Sequence, residues 1–181
     1  MSENILLINV CKEELHAFEF VEPIKEIVKE LELDFFEKKY SELTEKDLNK
    51  ATRVIICGTS LKDNDFLNYL NNFSWIKSFI KPILGICAGM QLISLIFGAE
   101  IKRKTEIGFF NETFKKEFLG ISGLQEVYHL HNNYCTLPKN FLEFSDSKIP
   151  QAIKHNTKKI YGALFHPEVR QKELILSFLK I

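Results

Sequence analysis

Cys87 lies two residues after Gly85 and two before Gly89, in the stretch 82–91 (PILGICAGMQ), where an apolar run ends and a helical apolar pattern begins. This is the pattern of a nucleophile elbow, a strand and a sharp turn followed by a helix. Side chains on either side of such a turn would collide, which calls for glycine there. A cysteine in the turn stands at a helix N-terminus, where free N–H groups and the helix dipole favour a thiolate. The N–H of Ala88, the next residue, is a candidate donor to an oxyanion formed by attack. A nucleophilic thiol needs a base, and the stretch 160–168 (IYGALFHPE) offers His166 at the end of a second apolar run. Glu168, two residues on, has the chemistry to fix the tautomer of that histidine. Pro167 keeps the connection out of a helix.

The surrounding elements must bring these distant residues together. Residues 5–10 read as a buried parallel strand, 21–31 as an amphipathic helix with Pro23 in its first turn, and 34–38 as a second strand. Thr44-Glu45-Lys46-Asp47 signals a capped helix over 44–50. Strands are expected at 54–57 and 83–86 and helices at 66–80, broken near Ser74, and 88–97. This alternation predicts an α/β fold, an open, mostly parallel sheet with helices on both faces, flavodoxin-like in kind. After Gly98 the pattern changes: 107–118, 125–130, 141–144 and 152–154 read as antiparallel strands forming a small flap. A last strand at 160–165 and a helix at 172–179 return to the sheet. Gly58, Cys87 and His166 fall at the carboxyl ends of strands, where open α/β sheets place their sites.

At 181 residues the chain is expected to form a single domain spanning 1–181. Lys and Arg total 24, as do Asp and Glu, so the formal charge is zero; this argues against broad nucleic-acid or membrane surfaces. No apolar run approaches the length of a membrane span. The start, Met1-Ser2-Glu3-Asn4, lacks the features of a leader, and a cytoplasmic location is expected. Cys11, Cys57, Cys87 and Cys135 lack pair spacing and read as reduced thiols. Cys11, at the end of the first strand, reads as a buried or idle thiol, and Cys57 and Cys135 as structural. His16, His129 and His155 form no convincing metal set with any cysteine, so neither a metal nor another cofactor is expected. No Gly-x-x-x-x-Gly-Lys loop is present, so ATP binding is not expected.

Gly85 to Gln91 together with His166-Pro167-Glu168 resembles the class I glutamine amidotransferases. Within that family the chain is most similar to the glutaminase part of GMP synthetases, especially the forms in which it is a separate subunit. The segments GICAGMQL, AIKH with IYGALFHPEV, and VYHLHNN (Val127 to Asn133) carry this narrower likeness. The resemblance implies that Cys87 attacks the side-chain amide of glutamine, releasing ammonia and leaving a γ-glutamyl thioester for water to cleave. His166 would be the base and acid, and Glu168 its orienter.

The family draws a second oxyanion donor from a glycine-rich turn matching Cys57-Gly58-Thr59-Ser60, which here keeps Gly58 but lacks the second glycine and the proline. Gln91, one helical turn beyond Cys87, would help to hold the substrate. His131, Asn132 and Asn133 match a segment that binds the substrate backbone and faces the synthetase, with Asn133 replacing an aspartate. An alternative register matches Tyr128-His129-Leu130 to the anthranilate-synthase type and leaves His129 or His131 as the pocket histidine. Leu164 stands where the family often has glutamine, and 9–14 replaces its usual glycine-rich turn. The implied partner is a separate ATP-pyrophosphatase synthetase subunit that takes up the ammonia, with GMP the expected product. The rival readings are a free-standing γ-glutamyl peptidase or hydrolase and a non-catalytic regulatory subunit with an altered oxyanion loop.

Overall fold

The computed structural model describes residues 3–181; Met1 and Ser2, the start of the segment read as leaderless, lie outside the described residues. A seven-stranded sheet forms the centre. Its strands are β1 (Asn4–Asn9), β2 (Asp34–Lys39), β3 (Arg53–Ile56), β4 (Ile83–Ile86), β7 (Phe141–Glu143), β8 (Ala152–His155) and β9 (Ile160–Ala163). In space the order is β2-β1-β3-β4-β9-β8-β7. The pairs from β2 across to β9 are parallel, and β8 and β7 add an antiparallel edge. A separate two-stranded hairpin is built from β5 (Ile101–Phe118) and β6 (Ile121–Cys135).

Strand side chains alternate between the two faces. Thus Ile5 and Leu7 of β1 enter one core and Leu6 and Ile8 the other. The first core is covered by α2 (Glu22–Glu30) and α5 (Lys172–Leu179), which insert Ile24, Val28, Leu174 and Phe178. The second is covered by α4 (Ala88–Ile96) and a 3-10 segment (Asp65–Lys77), which insert Met90, Ile93, Phe73 and Ile76. The Thr44 signal forms a complete capping box with Asp47 and starts α3 (Glu45–Lys50), a device worth about 1 kcal/mol.

Four features depart from the sequence reading. A helix α1 (Glu14–Phe20) precedes α2; of its residues only Phe20 is buried, so it lacks the apolar stripe that announces a helix. The segment after β3 is a 3-10 helix broken at Tyr69 (φ −116°, ψ 23°), not an α-helix broken at Ser74. β5 and β6 are longer than expected: the added start of β5 is mostly exposed, and the added end of β6, 131–135, is buried or half-buried without a strict alternation. β7 and β8, expected in the flap, belong to the main sheet, and only β5 and β6 stand apart.

Candidate active site

β4 ends at Ile86 and α4 begins at Ala88, so Cys87 makes the whole turn. Its backbone has φ 49° and ψ −102°, a conformation rare for a side-chain-bearing residue. Two close approaches hold it there. A Cβ added to Gly85 would lie 2.5 Å from the Gly89 carbonyl, and one added to Gly89 would lie 2.2 Å from the Ile56 oxygen. Both glycines are therefore required by contact between α4 and the strands beneath it.

β4 and β9 are direct neighbours, with Ile86 opposite Ala163. The Cys87 N–H donates to the Ala163 oxygen at 2.7 Å, which ties the elbow to the strand that leads into His166. The His166 N–H donates to the Tyr128 oxygen of β6 at 2.8 Å. His166 Nδ1 lies 2.7 Å from Glu168 Oε1, and both side chains are about 1% exposed. Phe20 packs on the imidazole with ring centroids 5.4 Å apart. Burial pushes the imidazole down, but the Glu168 carboxylate and the Cys87 sulfur outweigh it and hold His166 well above its ordinary range. The arrangement favours an imidazolium at His166.

Gly58, just after β3, completes the convergence. A Cβ there would lie 2.7 Å from His166 Cε1 and 3.6 Å from the Cys87 Cβ. The altered turn is organised by Asp63, whose carboxylate accepts from the Lys12 N–H (2.6 Å), the Thr59 hydroxyl (2.8 Å) and the Asp65 N–H (3.2 Å). Asp63 thus ties the loop after β3 to Lys12 beyond β1. Among the described residues, neither the Gly58 nor the Ala88 N–H donates to a protein acceptor.

The other cysteines are held as thiols. Burial pushes Cys11 up to about 11 and Cys135 up to about 12, and holds Cys57 well above its ordinary value. Cys11 Sγ contacts the Gly58 oxygen at 3.7 Å, so it approaches the site as a packed thiol.

Thr59, Cys87, Gln91, Leu130, His131 and Asn133 are among the residues lining the cleft in front of the Cys87 turn. Its free volume is about 20 Å³, room for about one water. The Leu130 oxygen lies 3.7 Å from Cys87 Sγ. Ser60, Asp63 and Asn64 are shared with a wider cavity of about 630 Å³ beside α1. Gln91 reaches the cleft, but its Nε2 donates to the Asn133 oxygen at 2.9 Å. Asn132 Nδ2 donates to the Leu61 oxygen at 3.2 Å and links the hairpin to the loop after β3. His131 lies in the cleft lining while His129 is fully buried behind it.

The sequence reading missed Asp63 and Glu106. Glu106 Oε2 lies 3.1 Å from His131 Nε2 and 3.9 Å from His129 Nδ1. A lone acidic residue in a long, mostly exposed strand gives no signal that it turns inward.

The family model described as glutamine amidotransferase class-I matches residues 18–180. The chain belongs to that family. This amidotransferase is 42% identical over 113 residues to a glutamine-hydrolyzing GMP synthase subunit of Methanosphaera stadtmanae, covering 55% of this chain and 60% of that one. It is 40% identical over 95 residues to a glutamine-hydrolyzing GMP synthase of Spiroplasma kunkelii, covering 49% of this chain and 19% of that one. The amidotransferase therefore spans less than two thirds of these curated relatives. Its fold is shared with a protein of Thermoplasma acidophilum described as a GMP synthase subunit (TM-score 0.87, 23% identity, 99% of this chain and 94% of that one). A glutamine amidotransferase of Thermotoga maritima also shares it (TM-score 0.74, 22% identity, 99% and 84%). Among the described residues no helix is long and apolar enough to cross a membrane.

Proposed function

We propose that this chain hydrolyses glutamine to glutamate and ammonia through a thioester on Cys87, and that the ammonia passes to a separate ATP-using synthetase. The observation that carries the reading is the convergence of the strained Cys87 turn, the buried His166–Glu168 pair and the Gly58 backbone at three neighbouring strand ends.

The Cys87 thiolate attacks the side-chain carbonyl carbon of glutamine. The Gly58 and Ala88 N–H groups receive the oxyanion, a contribution of about 3 kcal/mol for one such donor. His166 gives its proton to the departing amine, releasing ammonia, then takes one from the water that cleaves the thioester. Glu168 keeps Nδ1 protonated and aims Nε2 at the chemistry. Gln91, His131, Asn132 and Asn133 hold the amino-acid end of the substrate.

The narrow cleft supports a partner-gated enzyme. Glutamine needs the Leu130 segment to move from Cys87, and a synthetase docked on the hairpin would supply the energy for that displacement. The likeness to glutamine-hydrolyzing GMP synthase subunits supports conversion of XMP to GMP as the acceptor reaction. The test is ammonia release by the chain alone and with ATP, XMP and the ATP-pyrophosphatase subunit of a GMP synthetase. Activity that appears with the partner and vanishes in Cys87→Ala is expected. Equal activity with and without the partner would overturn the gating, and normal turnover by Cys87→Ala would overturn the nucleophile.

A further inference from the structure

Behind the cleft, the β5–β6 hairpin encloses a polar cluster of which His131 alone also lines the cleft. Its members are Glu106, His129 and His131, with one donor atom from each lying within 4.8 Å of the others. All three are buried, His129 and His131 at 0% and 2% exposure. None of the four ring nitrogens makes a hydrogen bond of good geometry, although carboxylate oxygens lie 3.1 Å from His131 Nε2 and 3.3 Å from His129 Nε2. Native proteins rarely leave buried polar atoms in that state, and an ion is one of the standard reasons.

The strand geometry explains the grouping. His129 and His131 are two residues apart on β6 and face the same side. Glu106 is paired directly across from His131, and Gly108 across from His129. Gly108, at φ 111°, has no side chain to fill the space opposite the His129 ring.

We propose that Glu106, His129 and His131 form a three-ligand site for a divalent cation of the zinc type. Two imidazole nitrogens and one carboxylate oxygen are a known zinc donor set. Zinc–ligand bonds near 2.0 Å arranged tetrahedrally separate neighbouring donors by about 3.3 Å. The measured 3.1 Å (His131 Nε2 to Glu106 Oε2) and 3.9 Å (His129 Nδ1 to Glu106 Oε2) bracket that spacing. The outer contacts also fit. With His129 bound through Nδ1, its Nε2 lies 3.3 Å from Glu112 Oε1, a carboxylate of the kind that supports ligating histidines. Glu112 in turn accepts from Ser147 Oγ. Gln151 Nε2 donates to Glu106 Oε2 at 2.9 Å, and Lys104 Nζ lies 2.6 Å from Glu106 Oε1. A bound ion would cross-link β5 to β6 on either side of Leu130, the residue whose carbonyl contacts the nucleophile.

The test uses Co²⁺ as a spectroscopic stand-in for Zn²⁺, added to the full chain after chelator treatment. One equivalent is expected to give visible d–d absorption without a thiolate-to-cobalt charge-transfer band, and Zn²⁺ should displace it. Cys87→Ala should bind the ion unchanged. His129→Ala should lose the spectrum, and Glu112→Gln should weaken binding about 10–100-fold. Wild type that takes up no stoichiometric Co²⁺ overturns the site and leaves a metal-free carboxylate–imidazole cluster. A spectrum with a charge-transfer band that vanishes in Cys87→Ala overturns it in favour of the nucleophile. If His129→Ala does not fold, the wild-type spectrum and the Glu112→Gln shift decide. Because the readout is spectral, the site and the glutaminase reading stand or fall separately.

Discussion

Replacing Gly58 with alanine probes the centre of the site while keeping the backbone N–H proposed to bind the oxyanion. The new methyl carbon would lie 2.7 Å from His166 Cε1 and 3.4 Å from Nδ1. Ordinary carbon contacts begin near 3.5 Å, so the imidazole must retreat by close to 1 Å. Phe20 stands against the ring, 5.4 Å between centroids, and Glu168 holds Nδ1 at 2.7 Å. The ring can move only by leaving its carboxylate or its line to Cys87. A misplacement of about 1 Å costs about 100-fold in rate, equivalent to about 2.7 kcal/mol of transition-state stabilisation. The packing strain should lower stability by about 1–3 kcal/mol, so assays belong well below the melting temperature. The measurements are partner-activated glutaminase kcat/KM and, on the isolated chain, labelling of Cys87 by a glutamine analogue with an electrophilic carbon in place of the amide. Both should fall about 100-fold. Activity within threefold of wild type would show that His166 is not held against Gly58 as described.

Three other perturbations have defined outcomes. Glu168→Gln should cut glutamine turnover by about 100-fold or more. The folded-state pKa of His166 is raised, so its charge adds stability that is fully present below the unfolded value of about 6.5 and lost as pH rises through the raised value. The stability gap between wild type and Glu168→Gln in urea titrations should therefore be widest below about pH 6.5 and shrink in alkali; a gap that ignores pH would refute the buried ion pair. Asp63→Ala removes the shared acceptor of Lys12, Thr59 and Asp65 and should cost about 3 kcal/mol, with faster proteolysis at the loop after β3; an unchanged urea midpoint would contradict it. Gly89→Ala would put a methyl 2.2 Å from the Ile56 oxygen and should destabilise by at least about 2 kcal/mol, read as a lower melting temperature.

Legibility in the sequence tracked how local the physical cause was. The elbow could be read because Gly85 and Gly89 answer a steric need within a few residues, and the α3 start because Thr44 and Asp47 cap each other. The buried parallel strands could be read because they are continuous apolar runs. α1 could not, since Leu15 and Phe18 stay 75% and 71% exposed and only Phe20 anchors the helix. The place of β7 and β8 in the main sheet was hidden because they pair locally, β7 with β8 and β8 with β9, and such short antiparallel strands read the same whether they extend the main sheet or stand in a flap. The Gly58 turn looked deficient because its brace, Asp63, stands five residues on and acts through hydrogen bonds. Whether His129 or His131 meets the cleft depended on the β6 register, which is set by its pairing with β5 and leaves no trace in the histidines themselves.

The strand order has a further consequence for synthesis. β9 occupies the middle of the sheet, between β4 and β8, although it is the last strand in the chain. Until residues 160–166 leave the ribosome, β4 presents an open edge and Cys87 lacks its proposed base. The closing contact spans a long stretch of sequence, the kind that forms slowly. On the proposed mechanism reactivity is therefore withheld from the nascent chain, and the strand that seals the exposed edge against aggregation is the same strand that delivers His166.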